Sequence, residues 1–101
     1  MNASQILQIA AELVSGPRDR EHGDKLRNHR NIADLWSAYL GVRITAMDVA
    51  LMQVLLKVAR TKTGSLNLDD FVDICGYGGC AGEIASRTHT AENPNGPPPP
   101  A

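Results

Sequence analysis

Apolar residues recur along this chain at helical spacing, and no segment alternates with the two-residue rhythm of a strand. Ile6, Leu7, Ala10, Leu13 and Val14 fall on one face of a first helix. Ser4 can cap it, and Gly16-Pro17 ends it after about Ser15. A charged loop from Arg18 to Asp24 follows. The second helix is expected from about Lys25 to Leu40, where Ile32, Leu35, Trp36, Tyr39 and Leu40 make an amphipathic stripe. Gly41 stands where a left-handed terminal residue is needed.

Thr45-Ala46-Met47-Asp48 reads as a capping box, with Asp in the usual Glu position. It opens a third helix that extends to about Lys62 and is closed by Gly64. Val49, Leu51, Met52, Val54, Leu55, Leu56 and Val58 make this the expected central, most buried helix. Ser65 or Asn67 starts a fourth, reaching about Arg87. Its middle holds Gly76, Gly78, Gly79 and Gly82, and each glycine costs a helix about 1 kcal/mol relative to alanine. Such a stretch persists only where tertiary contact offsets the loss. Gly78 and Gly82 share a face that another helix could approach closely; a break near Gly78 is the alternative.

The pattern therefore predicts an all-α class, a four-helix, bundle-like domain over residues 1–87. Residues 88–101 contain four consecutive prolines and no large apolar residue, the composition of a disordered, solvated tail. A core drawn from so short a chain buries only about 60% of its unfolded surface, so completion by homo-oligomerisation is expected.

Ten basic and 11 acidic residues are interspersed for a net charge of −1, which excludes an extended nucleic-acid surface. No apolar run approaches the roughly 18 residues of a membrane span, and no basic leader precedes the first helix, so a cytoplasmic location is expected. Cys75 and Cys80 point about 140° apart on one helix and cannot pair within it. Two cysteines and three scattered histidines make no zinc pattern.

Candidate chemistry gathers at the opening of the fourth helix. On a helical wheel Asp69, Asp73, Gly76, Tyr77, Cys80 and Ile84 share one face, and Phe71, Ile74, Cys75, Gly78 and Gly82 share the other. Two carboxylates one turn apart repel in water, and a divalent cation such as Mg²⁺ reverses that sign. Asp70 reads as part of a cap with Asn67. On the third helix Asp48 lies in line with Met52, Leu55 and Ala59, so it faces the core unless it serves as a cap. Asp48, Asp69 and Asp73 are therefore the candidate metal ligands. Lys57 and Arg60 share a polar face that could hold a phosphate, or simply be solvated. In the first loop His22 and Asp24 flank Gly23 and could close on a ligand. With Tyr77 these complete the candidate nucleotide-binding set.

Several of these residues fall in a specific order. Glu21-His22-Gly23-Asp24, Asn31 through Leu40, Asp48 through Met52, Leu55 through Arg60 and Asp69 through Tyr77 together resemble a family of short bacteriophage and prophage proteins of unassigned function. That family is in turn similar to the all-α nucleoside triphosphate pyrophosphatases, the MazG-like and dUTPase-like group. The resemblance implies a helical oligomer that uses Mg²⁺ to release pyrophosphate from a (deoxy)nucleotide in a phage-infected or lysogenic host. Those enzymes carry an acidic pair on each of two helices. Asp70-x-x-Asp73 fits the later pair, whereas the earlier one retains only Asp48, with Leu51 at its partner position. A fold that binds or sequesters a nucleotide without hydrolysing it fits the same residues. So does a helical interaction module acting through the glycine face and the proline tail.

Overall fold

Short polar side chains set where each helix begins. In the computed structural model, which describes residues 1–16 and 24–88, Asn2 caps α1 (Ala3–Ser15). Its Oδ1 accepts from the Gln5 amide at 2.9 Å, and Gln5 Oε1 accepts from the Asn2 amide at 2.8 Å. The cap lies two residues before the expected Ser4, because Asn-x-x-Gln supplies both halves of a reciprocal box. Asp24 caps α2 (Lys25–Leu40), accepting from the Arg27 amide at 3.3 Å. Thr45 and Asp48 form the expected box at the start of α3 (Ala46–Arg60), with bonds of 3.1 and 3.0 Å. Asn67 Oδ1 accepts from the Asp69 amide at 3.1 Å at the opening of α4 (Leu68–Thr88).

The α2–α3 turn is equally local in origin. Gly41 adopts φ 70°, where a Cβ is strained, and its amide donates to Ser37 O at 2.9 Å. Ser37 Oγ then accepts from the Ile44 amide at 2.8 Å and donates to Ile44 O at 3.2 Å. Gly64, at φ 72°, lies in the segment joining α3 to α4.

Helices α3 and α4 pair as an antiparallel hairpin, α1 lies along α4, and α2 packs on α3. At one end of the hairpin Ala46 and Ala50 of α3 meet Ala81 and Ile84 of α4, with Leu26 of α2 and Met47 completing the cluster. At the other end Lys57 reaches Asp73. The buried apolar set is Ala10, Leu26, Ala33, Ala46, Val49, Ala50, Val72, Ala81 and Ile84. More than half of it is alanine. Alanine lets helix axes approach closely but removes little apolar area from water, so this core is thin. The all-α architecture is as expected; no strand occurs among the described residues, and none of their helices is long and apolar enough to cross a membrane.

Three faces differ from the expected ones; on α2, Leu35, Tyr39 and Leu40 of the expected stripe are exposed, and Leu26 and Ala33 are buried instead. Helix α4 buries Asp70, Val72, Ala81, Ile84 and Thr88, while Phe71, Gly78 and Gly82 are exposed. The expected apolar face is thus turned outward, because Ile84 with Ala81, rather than Phe71, anchors the packing. Helix α3 does lie between α2 and α4, but it presents Ala46, Val49 and Ala50 inward. Met52, Leu55 and Ala59, the stripe on which Asp48 lies, face outward. Asp48 therefore does not face the core.

Helix α4 runs unbroken through its glycines. A Cβ at Gly76 would meet Val14 Cγ1 of α1 at 3.6 Å, whereas Gly78, Gly79 and Gly82 face open space. The close approach that these glycines permit is not made by the described residues. Thr88, assigned above to the tail, is the last helical residue; it is buried, and its Oγ1 donates to Ile84 O at 2.8 Å. The proline-rich segment beyond it, and the loop from Pro17 to Gly23, lie outside the described residues.

Candidate functional site

The acidic opening of α4 meets the end of α3 where the hairpin closes. Lys57, the last inward residue of α3, places Nζ 2.9 Å from Asp73 Oδ2, with the two side chains 16% and 32% exposed. Lys57 is thus turned into the α3–α4 seam, not onto a solvated face with Arg60, which is exposed. One turn earlier, Asp70 is 7% exposed. Among the described residues no hydrogen bond or ion pair reaches its carboxylate, and its amide donates to Asn67 O at 3.1 Å.

A buried carboxylate without a partner is costly, and the helix N-terminus offsets only part of that cost. Asp70 is the residue that sequence reasoning passed over as a cap. Its signal was present: Asp70, Tyr77, Ala81, Ile84 and Thr88 repeat at helical spacing, and a stripe anchored on Ile84 carries Asp70 inward. Asp69 is exposed, and its own amide is taken by Asn67. Tyr77 is half-buried one turn beyond Asp73.

The remaining candidates lie elsewhere. Asp48 is engaged with the Thr45 amide in its capping box at the far end of α3. Asp48, Asp69 and Asp73 are not brought together, and no group of three or more His, Cys, Asp or Glu side chains that could hold a metal occurs among the described residues. Cys75 and Cys80 are half-buried and form no disulfide. His22 lies outside the described residues.

Asp24 joins the start of α2 to the end of α4. Arg87 donates to it bidentately, Nη1 to Oδ1 at 2.7 Å and Nη2 to Oδ2 at 3.2 Å, and Lys25 pairs with Glu83 at 3.3 Å. The Arg87 hydrogen bonds hold the Asp24 carboxyl below the usual aspartate range, against the opposing effect of desolvation, and raise Arg87 in return. A depressed carboxylate pKa in the folded state contributes stability above the unfolded value, about pH 4, and loses it as pH falls through the lower folded value. Arg87→Ala should therefore be less stable than the parent at pH 7, with the gap closing below about pH 4. Urea midpoints at pH 7 and pH 3 measure this. A gap of the same size at both pH values would exclude the pair as its source.

Known proteins share this chain's sequence over much of its length. The gene 55 protein of Mycobacterium phage L5 is 47% identical over 75 residues, which are 73% of this chain and 48% of that protein. The gene 55 protein of Mycobacterium phage D29 is 38% identical over 82 residues, 81% of this chain and 54% of that protein. The chain thus spans about half the length of these curated relatives. No solved structure matches it significantly. The family model for the domain of unknown function DUF6378 matches residues 5–85, which covers all four helices nearly end to end, and the chain belongs to that family of phage proteins.

Proposed function

We propose that the chain binds a (deoxy)nucleotide together with Mg²⁺ at the closed end of the α3–α4 hairpin, as a nucleotide pyrophosphohydrolase-like phage protein. The observation that carries this reading is Asp70, a buried carboxylate with no partner among the described residues, one turn from Asp73. Three carboxylates, Asp69, Asp70 and Asp73, lie in the first two turns of α4, and among the described residues only Asp73 has an ion-pair partner, Lys57. A divalent cation would offset the negative charge left over.

Mg²⁺ accepts sites with one or two carboxylates and completes its shell with water and substrate phosphate, so Asp70 and Asp73 fit it without a full protein cage. When bound there it would neutralise phosphate oxygens and orient water. Lys57 and Arg60 supply positive charge on the same end of α3. The resemblance of Asp70-x-x-Asp73 to the later acidic pair of the all-α pyrophosphatases points the same way. Asp70 thereby replaces Asp69 and Asp48 in the metal set expected from sequence.

The test is a melting curve of the full chain with MgCl₂ and a mixed nucleotide pool, followed by mass analysis of the pool. The expected result is a rise in Tm that needs both Mg²⁺ and nucleotide and disappears in Asp70→Asn and Asp73→Ala. Pyrophosphate release alongside the shift assigns hydrolysis, and a shift without turnover assigns sequestration. No shift with any nucleotide overturns the reading.

A further inference from the structure

The seam between α3 and α4 changes character along its length. At one end Ala46 and Ala50 lie against Ala81 and Ile84, all of them buried. At the other Lys57 meets Asp73, and Arg60 beyond it is exposed. Antiparallel pairing at Lys57 and Asp73 sets Gln53, one turn back on α3, opposite Tyr77, one turn on along α4. Both are half-buried. Gln53 is the only uncharged polar residue of α3, and it shares the inward stripe with Ala46, Ala50 and Lys57. Among the described residues neither the Gln53 carboxamide nor the Tyr77 hydroxyl makes a hydrogen bond.

We propose that Gln53 and Tyr77 form a base subsite, so that the protein recognises the nucleobase as well as the phosphates. The inference rests on the reading of Asp70 and Asp73 as a Mg²⁺ and phosphate site. Phosphates held there put the base roughly one to two helical turns away, at about 5.4 Å per turn. Toward the hairpin loop, residues 62–69 are all exposed and offer a base no burial. Toward Gln53 and Tyr77 the seam closes, and a planar base entering it is withdrawn from water.

The two side chains divide the task. A carboxamide presents a donor beside an acceptor, the pattern that pairs bidentately with a base edge. A tyrosine ring stacks on any base, and that contact changes affinity about tenfold or more. Gln53 therefore sets which base is preferred, and Tyr77 sets how tightly any base is held.

Calorimetric titration of the full chain in MgCl₂ tests this. The ligands are inorganic tripolyphosphate, which has no base, and the α,β-methylene analogues of the deoxynucleoside triphosphates, which resist pyrophosphate release. At least one nucleotide is expected to bind about tenfold tighter than tripolyphosphate. Gln53→Met keeps the length of the side chain and removes the amide, so it should abolish the differences between bases. Tyr77→Leu should bring every nucleotide close to the tripolyphosphate value. Tripolyphosphate binding should be unchanged in both variants, which also reports that each is folded. Phe71→Ala is the control: Phe71 adjoins Asp70 but is 39% exposed on the outward face, and its loss should alter no ligand's affinity.

Nucleotides that bind no tighter than tripolyphosphate overturn the base subsite and leave the metal and phosphate reading standing. So does a parent without base preference, a preference that Gln53→Met leaves intact, or one that Phe71→Ala removes. A chain that binds neither tripolyphosphate nor any nucleotide overturns both.

Discussion

Ile84→Ala is expected to lower the unfolding free energy by about 2–5 kcal/mol, the range for removing a large aliphatic side chain from a packed core. Ile84 is 1% exposed and is one of the two largest fully buried side chains, together with Val49. Its neighbours place the effect in the upper part of that range. Ala46, Ala50 and Ala81 surround it, with Leu26 and Met47 the only longer side chains in the cluster. Alanine has no rotamer with which to fill a void, so the cavity left behind collapses little and the lost contacts are not recovered.

Against a stability of about 0.05–0.15 kcal/mol per residue, such a loss is a large fraction of the whole. Urea unfolding followed by circular dichroism at 222 nm measures it, with parent and variant at one protein concentration. Tyr39→Ala is the control: Tyr39 is 89% exposed, and its removal should stay within about 0.5 kcal/mol. A loss below about 1 kcal/mol at Ile84 would show that the α3–α4 packing is not the core of this domain.

The same residue explains what the sequence disclosed and what it hid. Helix positions were legible because their signals are local. The Thr45–Asp48 box, Gly41 and the Gly64 turn all stand where the pattern placed them. Which way α3 and α4 face was not legible. Both helices carry apolar residues around most of their circumference, so period alone cannot choose the buried side, and the larger residues drew the expected core toward Leu55 and Phe71. The chain instead buries its alanines, which allow the closest helix approach, and leaves the larger side chains outside. The burial of Asp70 was hidden by the same inversion, since a stripe centred on Phe71 puts Asp70 near the helix flank. Asp73 lies too deep in the helix to be a cap, as its position in the sequence shows, but its partner on the neighbouring helix depended on tertiary packing.

Lys57→Met should destabilise the domain by about 1–3 kcal/mol, between the small worth of an exposed pair and the 3–5 kcal/mol of breaking a buried one. Lys57 Nζ and Asp73 Oδ2 are 2.9 Å apart with the lysine side chain 16% exposed, so the pair is mostly but not wholly withdrawn from water. Methionine keeps the aliphatic stem in the seam and removes only the ammonium. Asp73 is then left half-buried and unpaired, one turn from the buried Asp70. Two carboxylates at that spacing repel, and among the described residues Asp73 has no ion pair other than the one to Lys57.

Adding Asp73→Leu to Lys57→Met should recover most of the loss, because the unpaired charge rather than the missing bond carries the penalty. Mg²⁺ provides the sharper reading. If Asp70 and Asp73 accept a divalent cation, the Lys57→Met protein should gain more from millimolar MgCl₂ than the parent does, with the gain growing as RT ln(1 + [Mg²⁺]/Kd). Thermal melts in a MgCl₂ series, matched in ionic strength with NaCl, separate site binding from general screening. A gain that NaCl reproduces would mean that the two carboxylates do not hold the metal. A Lys57→Met protein within about 0.5 kcal/mol of the parent would mean that the ammonium does not neutralise them either.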